Sequence, residues 1–289
     1  MGEVIVITSG KGGVGKTTIT ANLSIALSKL GKRVIAIDTD IGLRNLDVVM
    51  GLENHIVYNI VDVIEGNCRL KQAIIKDRTH NNLFLLPSAQ SRDKDSIKPE
   101  QMIELTNTLK DQFDYVIIDC PAGIEQGFKN AIAGATTAIV VTTPEVSAIR
   151  DADRIIGLLE KDGISPIYLL VNKLRPELIR RGDMMSGSDV YEILGTEIIG
   201  CLNDDINVVI ATNRGEAIVD QNTPIGKALT NIAKKISGDK TVTDNFERRF
   251  SFLFVKNIFS KGASKWFSGN IFIKSIPGKL QGNGLRFYL

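Results

Sequence analysis

The chain has 289 residues, of which 43% are hydrophobic, and its 35 basic residues nearly balance its 33 acidic residues. This length and composition predict one large globular domain, or one domain with a tail, and exclude a disordered chain. The near balance of charge argues against a strongly electrostatic nucleic-acid-binding protein, although it leaves room for a local basic patch. No run of about 20 apolar residues occurs, so the sequence predicts no membrane-spanning helix.

Short apolar runs rich in β-branched residues alternate with amphipathic helical stretches. A helix is expected at 17–29, where Ile19, Leu23 and Leu27 mark one apolar face and Gly31 ends it. Because several runs are apolar throughout, they indicate strands buried on both faces, and the predicted fold class is α/β: a mostly parallel sheet with helices on both faces, in three layers. The predicted strands are 3–8, 33–38, 83–86, 114–119, 138–142 and 167–171, with weaker candidates at 197–200 and 208–210.

The composition changes near Gly238, so we predict a domain over residues 1–237 and a C-terminal tail over residues 238–289. In the tail, Phe252, Val255, Phe259 and the Trp266 region recur at helical spacing with lysines between them. This pattern predicts an amphipathic membrane-binding helix at about 250–267, with a tail packed on the domain as the alternative. Residues 269–289 are assigned no role.

Three cysteines, Cys68, Cys120 and Cys201, occur without a CxxC pair. This pattern favours reduced structural thiols in a reducing compartment over the alternative, a metal or cluster site. Because Met1 and Gly2 run directly into the first strand, we expect no signal or transit peptide before the domain.

The segment between the first strand and the first helix fits the phosphate-binding motif GxxxxGK[ST]. Glycines let the backbone turn around phosphates with N–H groups pointing inward, and the helix N-terminus adds a positive dipole end. Lys16 is expected to contact the β- and γ-phosphates, Thr17 to ligate Mg²⁺ and Thr18 to reach the α-phosphate; a glycine-rich β-turn is the alternative. The predicted nucleotide-binding residues of this loop are Gly10, Lys11, Gly12, Gly13, Val14, Gly15, Lys16, Thr17 and Thr18.

Acidic residues follow two of the predicted strands. Asp38 and Asp40 are two residues apart, so we expect them on the same side of their strand, at the edge where open α/β sheets bind ligands. One is expected to orient a water molecule and the other to act through Mg²⁺, with a pair of turn-forming aspartates as the alternative. Asp119 ends an apolar strand and is predicted to hold Mg²⁺ through a water, while Gly123 offers its backbone N–H to the γ-phosphate.

A late strand is followed by Asn172, whose amide has both a donor and an acceptor and can pair with the edge of adenine. A turn-forming asparagine is the alternative. The face at 147–159 carries charged residues on its early helical turns, which alone indicates a solvated surface.

The sequences KGGVGKTT, DCPAGIE and NKLRP resemble the deviant Walker A ATPases of the MinD/ParA class over roughly residues 2–237, and GLRNLD and TTPEVSAIRDADRI are similar to its MinD branch. The resemblance implies a P-loop ATPase that uses ATP and Mg²⁺ and forms a homodimer on ATP binding, in which Lys11 reaches the partner's phosphates. It also implies that Asp40 controls the attacking water with Asp38 as its companion, and that Asn172 and Arg175 belong to the base-binding NxxRP pattern. Asn203-Asp204-Asp205 departs from the family's Pro-Glu-Asp, and Thr39 stands where a small residue is more usual.

Hydrolysis of a phosphoanhydride needs positioning and charge neutralisation, which Lys16, Mg²⁺, Asp40 and, from the partner, Lys11 would supply. We therefore expect slow turnover that rises with dimerisation and with an activating partner. Two tail helices on one dimer would bind a membrane far better than one, because the second insertion is intramolecular.

The resemblance implies a membrane-associating ATPase that places a division site, either a septum or a plastid division ring, by recruiting a division inhibitor or topological factor. Its expected partners are a MinE-like activator and a MinC-like inhibitor at the 147–159 face, and an anionic membrane through the tail; no specific nucleic acid is expected. The expected location is the plastid stroma and inner envelope, or the bacterial cytoplasm, as a peripheral membrane protein. The alternatives are a ParA-like DNA-partitioning ATPase, an iron–sulfur reductase of the nitrogenase iron-protein kind, and a scaffold for which hydrolysis is only a timer.

Overall fold

A computed structural model describes residues 2–90, 92 and 96–239. The predicted tail helix at about 250–267 lies outside these residues. The division of the chain into 1–237 and 238–289 therefore stays a prediction.

Eight strands in the described residues form one sheet in the order β3-β4-β2-β5-β1-β6-β7-β8, in which every neighbouring pair is parallel except β3 with β4. This arrangement confirms the predicted fold class. The strands are β1 Glu3–Thr8, β2 Val34–Asp38, β3 Ile75–Lys76, β4 Leu83–Leu86, β5 Tyr115–Asp119, β6 Thr137–Thr142, β7 Ile167–Leu174 and β8 Ile198–Asn203.

Eleven α-helices occur in the same described part of the chain, and none of them combines the length and apolar character needed to cross a membrane. The helices are α1 Lys16–Lys29, α2 Leu46–Val49, α3 Ile60–Ile64, α4 Leu70–Ala73, α5 Pro99–Lys110, α6 Gln126–Ile132, α7 Val146–Lys161, α8 Pro176–Arg181, α9 Gly187–Leu194, α10 Ile206–Asn213 and α11 Pro224–Ile236.

Both faces of the sheet are covered, and β1 shows how. Its side chains alternate between two hydrophobic clusters: Val4 and Val6 pack in the cluster that contains residues of α5, α7 and α9. Ile5 and Ile7 pack in the opposite cluster, which contains residues of α1 and α11. A strand buried on both faces needs apolar residues at every position, which explains the continuous apolar run in the sequence.

Two predicted elements differ from the structure. The weak strand candidate at 208–210 is wrong, because these residues lie in α10, whose N-cap Asp205 accepts a hydrogen bond from the backbone N–H of Asn207. That cap outweighs the strand preference of a β-branched run. β7 also extends beyond its predicted end at Val171, so Asn172 lies within the strand rather than after it.

Candidate active site

The carboxyl ends of the parallel strands surround a cavity of about 670 Å³. β1 lies between β5 and β6 in the sheet, so the loops that follow β1 and β5 are neighbours at this edge. Such an edge is where open α/β sheets bind ligands. The predicted site residues that line the cavity are Lys11, Gly12, Gly13, Gly15, Lys16, Thr17, Thr18, Asp40 and Asn172.

The loop after β1 forms a cradle of backbone groups. Gly13 and Gly15 have φ angles of +77° and +98°, a left-handed conformation that glycine adopts without strain. A Cβ atom on Gly15 would lie 2.5 Å from Nδ2 of Asn172, so a larger residue would not fit there. Apart from the adjoining residues of the loop, no atom of the described part of the chain lies within 4 Å of a Cβ built on Gly12 or Gly13, so the space beside these glycines is open.

A buried cluster of polar side chains connects this loop to the end of β5. Asp119 accepts hydrogen bonds from Lys16 Nζ at 2.9 Å, from Thr17 Oγ1 at 2.7 Å and from Thr20 Oγ1 at 3.0 Å. Burial alone would lower the pKa of Lys16, but the adjacent Asp119 carboxylate raises it, and the net change is upward. Lys16 therefore stays charged at the base of the cavity. Thr20 lies outside the phosphate-binding motif, and its role becomes visible only because the first turn of α1 faces Asp119.

The chemistry of these donors fits Mg²⁺. The Thr17 hydroxyl uses its proton in the bond to Asp119 and accepts from Lys16 Nζ at 3.5 Å, which leaves one oxygen lone pair for a cation. Hydroxyl and carboxylate oxygens are the hard ligands that Mg²⁺ prefers. Thr17 faces the cavity and donates to Asp119, which does not itself line the cavity, and their predicted role as metal ligands stays a proposal.

Asp38 does not lie on the cavity. It is 1% exposed, and its carboxylate accepts hydrogen bonds from the backbone N–H groups of Asp40, Asn45 and Leu46. Burial and the nearby charge of Asp119 raise the pKa of Asp38 to about 7. Asp38 therefore holds the backbone of the loop after β2 in place. This geometry corresponds to the alternative given for Asp38, a turn-forming aspartate.

Asp40 lines the cavity, but it lies beyond the end of β2, so the expectation that both aspartates project from one strand is wrong. The loop turns at Thr39, whose hydroxyl donates to the backbone carbonyl of Asp119 at 2.6 Å. The backbone N–H of Thr39 donates to the same carbonyl at 3.1 Å. The position of Asp40 is thus tied to the end of β5.

Lys11 and the start of α7 are in direct contact. The Nζ atom of Lys11 lies 3.3 Å from Glu145 Oε2 and 3.3 Å from Ser147 Oγ, within its own chain. Gly10 packs so closely against α7 that a Cβ atom there would lie 2.6 Å from Asp151. Gly10 therefore has a packing role, and Lys11 is held by residues at the helix N-terminus.

The backbone N–H of Gly123 donates to the carbonyl of Ser9 at 3.1 Å. This bond differs from the sequence expectation, in which the N–H faces a γ-phosphate. A bond to phosphate would require this contact between the two loops to break. The φ angle of Gly123 is +91°, which explains why glycine occupies this position.

The two residues of the predicted base pocket are placed differently. Asn172 lines the cavity, and its amide donates to the backbone carbonyl of Val14 at 2.8 Å, which leaves its carbonyl oxygen for a ligand. Arg175 instead forms an ion pair with Asp204 at 2.7 Å, and it does not line the cavity. Arg175 is therefore paired with the loop that carries Asp204 rather than turned to the cavity.

Comparisons with known proteins agree on one family. A family model described as an AAA domain matches residues 2–162. The septum site-determining protein MinD of Bacillus subtilis strain 168 is 56% identical over 242 residues, which make up 83% of this chain and 90% of that protein.

Two solved structures are also similar. The MinC:MinD cell division protein complex of Aquifex aeolicus matches with a TM-score of 0.79 and 46% identity, over 84% of this chain and 98% of that chain. The septum site-determining protein MinD of Pyrococcus horikoshii, complexed with Mg-ADP, matches with a TM-score of 0.75 and 29% identity, over 83% and 97% of the two chains.

Proposed function

Because the chain belongs to the MinD family of P-loop ATPases, we propose that it is a Mg-ATP-dependent ATPase that dimerises, attaches to membranes and regulates the placement of a division site. The observation that carries this proposal is the cluster in which the buried Lys16 and Asp119 meet the half-buried Thr17, beside an open glycine cradle. A cation, a cation ligand and backbone donors converge there, as phosphate binding requires.

The residues on the cavity supply positioning and charge rather than a covalent nucleophile. Lys16 would neutralise charge on the β- and γ-phosphate oxygens, and Asp40, held at the rim by its loop, would orient the attacking water. Mg²⁺, held by Thr17 and by Asp119 through a water, would neutralise further charge on these oxygens. The relative from Pyrococcus horikoshii, whose structure contains Mg-ADP, supports these cofactors.

The free carbonyl oxygen of Asn172 favours adenine as the base, since adenine presents an amino donor where guanine presents an acceptor.

Lys11 would act in a second copy of the chain. Its side chain is 45% exposed, and its ammonium group is held by Glu145 and Ser147 through bonds of 3.3 Å. An exposed pair of this kind contributes little stability, so Lys11 is readily released toward a partner's phosphates. Turnover is then slow in a single chain, which lacks the second lysine, and rises on dimerisation and with a MinE-like activator.

Charge separates the tail from the domain. Residues 240–289 hold nine Lys or Arg residues and two Asp or Glu residues, whereas residues 1–239 hold 26 basic and 31 acidic residues. A basic, aromatic-rich tail suits an anionic membrane surface, and an acidic domain is unsuited to DNA. We therefore prefer the membrane-cycling function over DNA partitioning, with peripheral attachment in a bacterium or plastid.

The relative from Aquifex aeolicus was solved as a complex with MinC. We extend this to the present chain as a MinC-like partner, which would link membrane attachment to inhibition of division. The 147–159 face, which begins beside the Lys11 contact, is the proposed binding surface for both MinC-like and MinE-like partners.

The test is co-sedimentation with phosphatidylglycerol vesicles in ATP, ADP or no nucleotide, using the full chain and a version that ends at Gly238, with ATP hydrolysis measured in parallel. We expect pelleting that requires both ATP and the tail. Equal pelleting in ATP and ADP would disprove the membrane switch, and absence of ATP hydrolysis by the full chain with vesicles would disprove the ATPase.

A further inference from the structure

Two adjacent residues of β7 hold two adjacent carbonyl groups of the phosphate loop. Asn172 Nδ2 donates to the Val14 carbonyl at 2.8 Å, and Lys173 Nζ donates to the Gly13 carbonyl at 2.8 Å. Successive side chains on a regular strand point to opposite faces of the sheet. Neighbouring strand residues that reach the same loop therefore require a local irregularity.

The irregularity is at Lys173. Its φ angle is +58°, a left-handed conformation that a residue with a Cβ atom rarely adopts. The register between β7 and β8 also shifts between Val171 and Leu174. A strained backbone at a non-glycine residue persists only where the surroundings enforce it, and such positions cluster at functional sites.

We propose, building on the proposed function, that Lys173 is a positioning residue for nucleotide binding that keeps the N–H groups of the phosphate loop pointed at the phosphates. In a planar trans peptide the C=O of one residue and the N–H of the next point in opposite directions. Holding the Gly13 carbonyl outward therefore turns the N–H of Val14 inward. Asn172 does the same for the next peptide, which joins Val14 to Gly15.

Lys173 suits this role because the loop needs restraint. The loop contains Gly12, Gly13 and Gly15, and glycine has more backbone freedom than any other residue. Ordering the loop on nucleotide binding would therefore cost entropy. A restraint present before binding removes part of that cost. The ammonium group also adds positive charge at the rim of a cavity that receives an anion.

The test measures the affinity for a fluorescent ADP analogue with Mg²⁺ and the thermal midpoint of unfolding, for three variants of the full chain. Lys173→Met loses the donor and keeps the strained backbone, whereas Lys173→Gly loses the donor and relieves the strain. We expect both to bind about 2- to 10-fold more weakly, while the Lys173→Gly protein melts no lower than the Lys173→Met protein. Lys173→Arg keeps a charged donor and is expected to restore most of the affinity.

Lys161→Met, which removes an exposed lysine at the far end of α7, is the matched control and is expected to leave affinity unchanged. Wild-type affinity in both Lys173→Met and Lys173→Gly would overturn the positioning role, as would weakened binding that arginine does not restore. If the wild-type chain itself did not bind the analogue, the proposed function would fail rather than the role of Lys173 within it.

Discussion

The ammonium group of Lys16 lies 2.9 Å from a carboxylate oxygen of Asp119, and the two side chains are 8% and 2% exposed. Removing one partner leaves a buried charge without compensation, so Lys16→Met or Asp119→Asn is expected to lower the free energy of unfolding by about 3–5 kcal/mol. The double variant is expected to lose less than the sum of the two. Urea denaturation of the four proteins gives this coupling energy, and additive losses would contradict the pairing.

Thr17→Ala is expected to weaken the Mg²⁺ dependence of nucleotide binding. The variant lacks the hydroxyl that faces the cavity beside Asp119, so the Mg²⁺ concentration for half-maximal tight binding is expected to rise by about tenfold or more. Thr17→Ser keeps the hydroxyl and serves as the control. Binding titrations at increasing Mg²⁺, with EDTA as the metal-free reference, give the comparison. An unchanged midpoint in Thr17→Ala would remove Thr17 from the metal site.

Thr39 is expected to matter for turnover through its bond to the Asp119 carbonyl. Valine has nearly the same shape as threonine but lacks the hydroxyl. In Thr39→Val, residue 39 therefore donates to the Asp119 carbonyl through its backbone N–H alone. We expect a loss of about 1–3 kcal/mol in the free energy of unfolding and a lower kcat, because Asp40 is less firmly placed. Thr39→Ser is expected to behave like the wild type. Equal kcat values for all three proteins would show that the bond does not position Asp40.

Asp38 is expected to make stability depend on pH. Its pKa is about 7 in the folded protein, against an ordinary value of 3.8. Between these values the folded protein holds a proton that the unfolded chain has released, so the free energy of unfolding falls as the pH rises, by up to about 1.4 kcal/mol per pH unit. Asp38→Asn is expected to show a smaller slope. Urea denaturation at several pH values from about 4 to about 7 measures both slopes, and identical slopes would contradict the assignment.

Local patterns were sufficient to predict much of the fold. The motif from Gly10 to Thr17 identifies a strand, a turn and a helix together, because its glycines and its position after an apolar run have one common structural explanation. Asp119 was predicted to end its strand for a similar reason. The run Val208–Ile210 misled, because three β-branched residues favour a strand whereas the helix depends on the cap at Asp205.

Contacts that a local pattern does not encode explain what the sequence did not predict in the site. A linear pattern does not distinguish Asp38 from Asp40. The two differ because the chain turns back after Asp40, and the backbone N–H groups of Asn45 and Leu46 donate to Asp38. Arg175 was expected in the base pocket, but in the structure it pairs with Asp204 on the loop after β8. The left-handed backbone of Lys173 carries no composition signal at all.

The central position of β1 restricts how the site can move. Its backbone is hydrogen-bonded to β5 on one side and β6 on the other, and its side chains are buried on both faces. Amide protons in such a strand exchange with solvent through global unfolding, whereas those in the loops exchange through local opening. Hydrogen exchange in the presence of nucleotide should therefore change in the loops after β1, β2 and β5, while β1 itself reports the stability of the whole domain.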